Sequence, residues 1–237
     1  MASLFDHAIR LGDDALILGQ RLSEWAGHAP MLEVDLALSN IALDLIGQAT
    51  LFLTLAGEEE GRGRDADALA FRRDVLDFRN CLLVEQPNGD FAQTIARQFL
   101  FSNWQELLMQ EIAAAPSPAL AAIGAKAVKE VAYHARYALE WVVRLGDGTE
   151  ESRARMIAGL DSMWRFADEL FDEKDGTPSL RPAWDARIDT ALNQAKLERP
   201  KPRRGVKGGR SGHHSEHLGH LLAEMQFLQR AYPGAAW

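Results

Sequence analysis

A chain of 237 residues, 47% apolar and 25% charged, is long enough to bury a hydrophobic core and has the balance of an ordinary globular protein. Its net charge of −8 argues against nonspecific nucleic-acid binding, and a single cysteine, Cys81, excludes an internal disulfide and suits a reducing compartment. The opening MASLFDHAIRLGDD has acids where a secretory signal needs basic and apolar runs, and no stretch reads as the ~20 apolar residues of a membrane span, so a cytoplasmic chain with neither nucleic-acid nor membrane partner is expected.

The spacing of Leu4, Ala8, Leu11, Ala15, Leu18, Leu22 and Trp25 alternates four and three, which predicts a helix over 3–26 with one packing seam. Gly27 and Pro30 end it and open a second helix over 31–56, apolar on nearly all sides and stopping near Gly57. So short a connection predicts antiparallel neighbours. After the polar GEEEGRGRDAD, a shorter helix is expected over 67–82, with Phe71, Val75, Phe78 and Leu82 on one side, then a turn at VEQPNGD. Further helices are expected over 91–114, from Pro118 to about Leu145, and over 150–172 behind an N-cap at Thr149. A loop at 173–182 leads to a weakly amphipathic helix at 183–198. Residues 199–212 are basic and rich in Gly and Pro, as a mobile loop would be. A last helix over 214–231 carries Leu218, Leu221, Met225 and Leu228 on one stripe. No strand pattern is found. The expected class is all-α, with seven or eight helices in one bundle-like domain over 1–237 and a flexible loop at 199–212.

Polar groups interrupt two of these apolar helices. Asn40, Asp44 and Gln48 stand four apart and share a face of the second helix. Glu130 and His134 lie on the face that Ile123, Ala127, Tyr137 and Trp141 define. Four-helix bundles build diiron sites from such inward positions, with a Glu from each of two helices and a Glu-x-x-His from each of the other two. Here that pattern is broken. Leu45 stands three residues before Gln48, Val131 stands three before His134, and Gln48 is a weak, neutral ligand. The ligand count favours a buried hydrogen-bonded cluster of Asn40, Asp44, Gln48, Glu130 and His134 with no metal. The alternative is a metal-dependent oxidase using Asp44, Glu130 and His134.

His213-His214-Ser215-Glu216-His217 has the order of an inverted zinc-protease motif, but it opens a helix that Ser211 or Ser215 can cap instead of lying mid-helix in a cleft. Arg199, Lys201, Arg203, Arg204, Lys207 and Arg210 place six positive charges in twelve residues. They form either a solvated loop or a contact for a coenzyme phosphate or an acidic partner, with Arg203, Arg204, Lys207 and Arg210 as the candidates. The run lacks the aromatics of a single-strand binder and the spacing of a P-loop. No Ser-His-Asp or Cys-His set stands out, no catalytic or cofactor-binding residue is assigned, and Cys81 reads as a small buried hydrophobe.

Four long stretches, RLSEWAGHAPMLEVDLALSNIALDLIGQA, LLVEQPNGDFAQTIARQ, KAVKEVAYHARY and SEHLGHLLAEMQFLQRAYPGAAW, resemble in order the C subunits of bacterial 1,2-phenylacetyl-CoA epoxidases. The resemblance implies a ferritin-like four-helix-bundle core with additional helices. It also implies a non-catalytic structural role in aerobic phenylacetate degradation, beside the catalytic A subunit of the same complex. That partner holds the diiron site and epoxidises the substrate ring with oxygen and with electrons supplied from NADPH by a reductase. Laid on this chain, the catalytic Glu-x-x-His pairs fall on Leu45 with Gln48 and on Val131 with His134, and a first-helix carboxylate falls near Leu16 or Ile17. The expectation is a chain that binds no cofactor, pairs with the catalytic partner and the other subunits, and self-associates when isolated. Ile9, Leu16 and Ile17, apolar beyond the first seam, are candidates for the partner-facing surface.

Overall fold

Apolar spacing of three and four makes this chain helical almost throughout, and ten α-helices joined by short 3-10 turns account for the regular structure among the described residues. The structure, a computed structural model, describes residues 3–171, 178–201 and 204–235. It divides into two compact units, Met1–Pro87 with Lys207–Trp237, and Asn88–Val206.

In the first unit, α1 (Leu4–Ser23) starts at a capping box in which the Ser3 hydroxyl accepts from the Asp6 N–H at 3.0 Å and the Asp6 carboxylate accepts from the Ser3 N–H at 3.0 Å. It runs antiparallel along α2 (Leu32–Glu60): Gly12 lies against Leu53, and Gly19 against Ala42 and Ile46. A Cβ at Gly12 would sit 2.8 Å from Leu53 Cδ2, so the glycine lets the two helices approach. Ile9, Leu16 and Ile17 are buried along with Ala8, Leu11, Ala15, Leu18 and Leu22 of the predicted seam, which removes them as a partner-facing surface, while Leu4 and Trp25 at the seam's ends are half-buried.

Helix α2 runs one turn beyond Gly57 and ends at Gly61, which takes the left-handed conformation with φ 66°. Gly57 is needed for a different reason: a Cβ there would lie 2.1 Å from the Arg64 carbonyl oxygen, where the chain folds back. Against expectation, α2 is long and apolar enough, by length and composition, to cross a membrane; half of its most apolar window is buried within the protein. Counting uninterrupted apolar runs misses this because Asp44 and Gln48 break the run without lowering its mean hydropathy enough.

The single helix expected over 67–82 is three pieces: α3 (Ala66–Phe71), a 3-10 turn at Val75–Asp77, and α4 (Leu82–Glu85). Asp65 caps α3 by accepting from the Ala68 N–H at 2.8 Å, and Asp74 and Asp77 cap the turn. Arg73 is drawn inward over the Phe78 ring, 4.2 Å from its centroid, toward α1. Near the C-terminus the expected helix over 214–231 is two, α9 (Glu216–Met225) and α10 (Phe227–Ala231). At the junction the buried Gln226 amide donates to the carbonyls of Ala70 and Arg73, both at 3.0 Å.

The second unit is built on α5 (Phe91–Ala113) and α6 (Pro118–Gly146). Asp90 caps α5, and Ser117 caps α6 ahead of Pro118 in its first turn. Gly124 of α6 lies so close to α5 that a Cβ would sit 2.5 Å from the Ala113 nitrogen. Helix α7 (Glu150–Trp164) starts at a Thr149–Ser152 capping box and ends before the expected 172, giving way to a 3-10 turn at Ala167–Phe171. Helix α8 (Arg181–Gln194) is anchored by buried Trp184, whose Nε1 donates to the Leu100 carbonyl at 3.0 Å.

Arg199, the first residue of the basic run, is folded onto α8. Its guanidinium donates to Asp185 at 2.7 Å and Asp189 at 2.6 Å and stacks 5.3 Å from the Trp164 ring centroid. Asp185 also accepts from Arg181 at 2.9 Å. Burial pushes the Asp185 carboxyl up, but Arg199 and Arg181 outweigh it and hold it below the ordinary carboxylate value. A depressed folded-state value means stability that is present above the unfolded pKa of about 3.9 and lost as pH falls through the folded value. Asp185→Asn is therefore expected to lower stability by up to about 1 kcal/mol near neutral pH. Chemical denaturation against pH should show the deficit closing on acidification below the ordinary Asp range.

Candidate functional site

A step of four along an α-helix turns the side chain by about 40°, so a polar stripe at that spacing drifts round the helix. On α2 the drift carries Asn40 to the exposed side, leaves Asp44 half-buried and turns Gln48 inward, 2% exposed. On α6 Glu130 is half-buried and His134 fully buried. Gln48 and His134 are therefore buried, whereas Asn40, against expectation, is exposed.

Most of the first unit's buried charge lies elsewhere, on side chains that spacing alone does not single out. Asp13 and Asp14 of α1 are 0% and 1% exposed, and Glu85 of α4 is 0% exposed. Arg73 grips both Asp13 oxygens, and the Arg79 N–H donates to the same carboxylate at 2.8 Å. Asp14 accepts from the Cys81 N–H at 2.7 Å and from the Arg210 guanidinium at 2.7 Å. Glu85 accepts from Asn80 at 3.0 Å and from the Ser215 N–H at 2.6 Å, and meets His214 Nδ1 at 2.8 Å. Arg21 of α1 closes the set by donating to the carbonyls of Glu85 at 2.9 Å and His217 at 3.1 Å.

These contacts engage three residues that the sequence singles out, His214, Ser215 and Arg210. His214, inside the protease-like motif, has Nδ1 on a carboxylate and Nε2 on the Phe78 carbonyl at 3.0 Å, so both ring nitrogens are engaged within the fold. Ser215 stands at the N-cap of α9, but it is its backbone N–H that is held, by Glu85. Arg210 is not available to an anion or a partner, because it is buried on Asp14 and donates to the Arg79 carbonyl at 3.0 Å. The adjoining Gly209 packs where a Cβ would lie 2.3 Å from the Asn80 carbonyl oxygen. Both ends of the basic run are therefore tied down. Arg204 and Lys207 are exposed, and Arg203 lies outside the described residues.

Residues 1–237, the whole chain, match the model of a family described as phenylacetic acid catabolic protein. The chain belongs to that family. Over 249 aligned residues it is 48% identical to the C subunit of the 1,2-phenylacetyl-CoA epoxidase of Escherichia coli (strain K12), with each chain covered completely.

The resemblance of this phenylacetic acid catabolic protein to the epoxidase subunits implies a fold that elsewhere holds two irons, and the donors present do not fit that centre. Leu45 and Val131, which stand three residues before Gln48 and His134 where a Glu-x-x-His pair needs its carboxylate, are both 0% exposed, and Leu16 and Ile17 are 6% and 0% exposed. Buried aliphatic carbon supplies no ligand. The polar side chains near Leu45 and Val131 are a neutral Gln48 and half-buried Asp44 on α2, and His134 and half-buried Glu130 on α6. Among the described residues no group of three or more His, Cys, Asp or Glu side chains is placed to hold a metal ion.

Removing one partner of a buried ion pair leaves the other uncompensated, at a cost of about 3–5 kcal/mol. Asp14→Ala should lower the unfolding free energy by that order in denaturant titrations, and more than Arg204→Ala, whose side chain is exposed. A loss below about 0.5 kcal/mol would show that the buried pair contributes no more than a surface contact.

Proposed function

We propose that this chain is the non-catalytic structural subunit of a phenylacetyl-CoA 1,2-epoxidase in aerobic phenylacetate degradation. The observation that carries the reading is full-length identity of 48% to the C subunit of such an epoxidase. The non-catalytic part is supported by buried Leu45 and Val131, which stand where a Glu-x-x-His pair ending at Gln48 or His134 would need its glutamate. The oxygen chemistry then belongs to the diiron-bearing catalytic A subunit, and this chain binds no cofactor of its own. Its contribution is mechanical: a rigid helical surface that holds the partner's ligand-bearing helices in place, because a catalytic constellation is only as well positioned as the packing that supports it. The expected setting is the cytoplasm, in a complex with the catalytic partner and the other components, and with self-association of the isolated chain.

The competing reading, an oxidase using Asp44, Glu130 and His134, requires two half-buried carboxylates to act as ligands or proton carriers. The double variant Asp44→Asn, Glu130→Gln separates the two. Co-expressed with the catalytic partner, then assayed with the reductase, it should assemble and epoxidise phenylacetyl-CoA at the wild-type rate. A fall of about 100-fold or more with the complex intact would place this chain in the chemistry.

A further inference from the structure

Helix α2 buries one side and displays the other. Leu32, Leu36 and Leu43 are 71%, 56% and 65% exposed. With exposed Asn40, Gly47, Thr50 and Thr54 they fall at steps of three and four, so the seven positions form one stripe along the helix. From Leu32 to Thr54 the stripe is about 33 Å long at 1.5 Å per residue. None of the seven side chains is charged. A Cβ at Gly47 would meet nothing within 4 Å, so bare helix backbone faces outward in mid-stripe. The hydroxyls of Thr50 and Thr54 donate back to the carbonyls of Ile46 at 3.0 Å and Thr50 at 2.7 Å, which spends their hydrogen bonds inside the helix. Leucine knobs beside small, internally satisfied positions are what a second helix needs in order to pack ridge into groove.

The charges bounding the stripe select the occupant. Glu33 and Asp35 stand at its start, exposed Glu58 and Glu59 at its end, and α2 contains no Lys or Arg. A second copy of this helix, parallel or antiparallel, would set acid against acid at both ends. A bilayer is also a poor match: the stripe has Asn40 near its middle and acidic ends, and α2 lacks the Lys, Arg, Trp and Tyr that anchor helices at a lipid surface. We propose that the exposed stripe of α2 docks one helix of a different helical subunit, a helix with an apolar stripe of its own and with Lys or Arg near its ends. The partner's being the catalytic subunit rests on the function proposed for the chain.

The test uses the full chain carrying Leu36→Glu and Leu43→Glu, both at exposed positions, with Ile157→Glu on α7, where the wild-type side chain is 47% exposed, as a control for added surface charge. Circular dichroism and thermal melting should match wild type for both. Binding to the separately purified catalytic subunit should weaken by about 30-fold or more for the α2 variant and stay unchanged for the control. Wild-type affinity in the α2 variant overturns the proposal. So does loss of self-association with the heteromeric complex intact, which would make the stripe a homotypic face. Flotation of the wild-type chain with anionic vesicles, abolished in the variant, would make it a lipid face and overturn the proposal as well. If the wild-type chain fails to bind the catalytic partner at all, the structural-subunit reading falls and takes this assignment with it.

Discussion

A carboxylate taken out of water must find a positive or hydrogen-bonding partner, and the first unit of this chain is arranged to provide for three. Asp14 and Arg210 are 196 residues apart in sequence, Asp13 and Arg73 are 60 apart, and Glu85 and His214 are 129 apart. Each pair fastens a different segment, so that α1, the 73–85 stretch and the 208–217 stretch are held in a single arrangement. The hydrophobic core around them, with Leu18, Leu22, Leu38, Ile41 and Phe52 fully or nearly fully buried, supplies most of the drive to collapse. The ion pairs decide which chain segments occupy its edge. That division explains why the C-terminal stretch, basic and rich in glycine, is ordered at Gly209 and Arg210.

Helices whose limits are written locally are legible in the sequence. α5 and α6 lie within a residue or so of expectation, because Asp90, Ser117, Pro118 and the glycine near 146 mark their ends in the sequence itself. The 67–82 stretch misleads because its apolar spacing is helical, while what breaks it is Arg73 reaching a carboxylate on another helix. Arg210 misleads for the same reason: its partner is invisible to composition. The polar stripe of α2 is visible in the spacing, but the angular drift between Asn40 and Gln48 is not, and that drift separates a surface residue from a buried one.

The two sides of α2 carry the functional argument. Inward, buried Leu45 and Val131 stand three residues before Gln48 and His134, so neither pair is the Glu-x-x-His of a diiron bundle. Outward, a helix that serves only as core would be expected to present charge along its length, and between its acidic ends α2 presents leucine, asparagine, threonine and bare backbone. Both features suit the structural role proposed for this member of the phenylacetic acid catabolic family.

The most direct measurement is the iron content of the untagged chain, purified both alone and from the dissociated complex with its catalytic partner. The account predicts that the iron accompanies the partner and that this chain retains none in stoichiometric amount. Stoichiometric iron in the isolated chain, lost on His134→Ala, would contradict it.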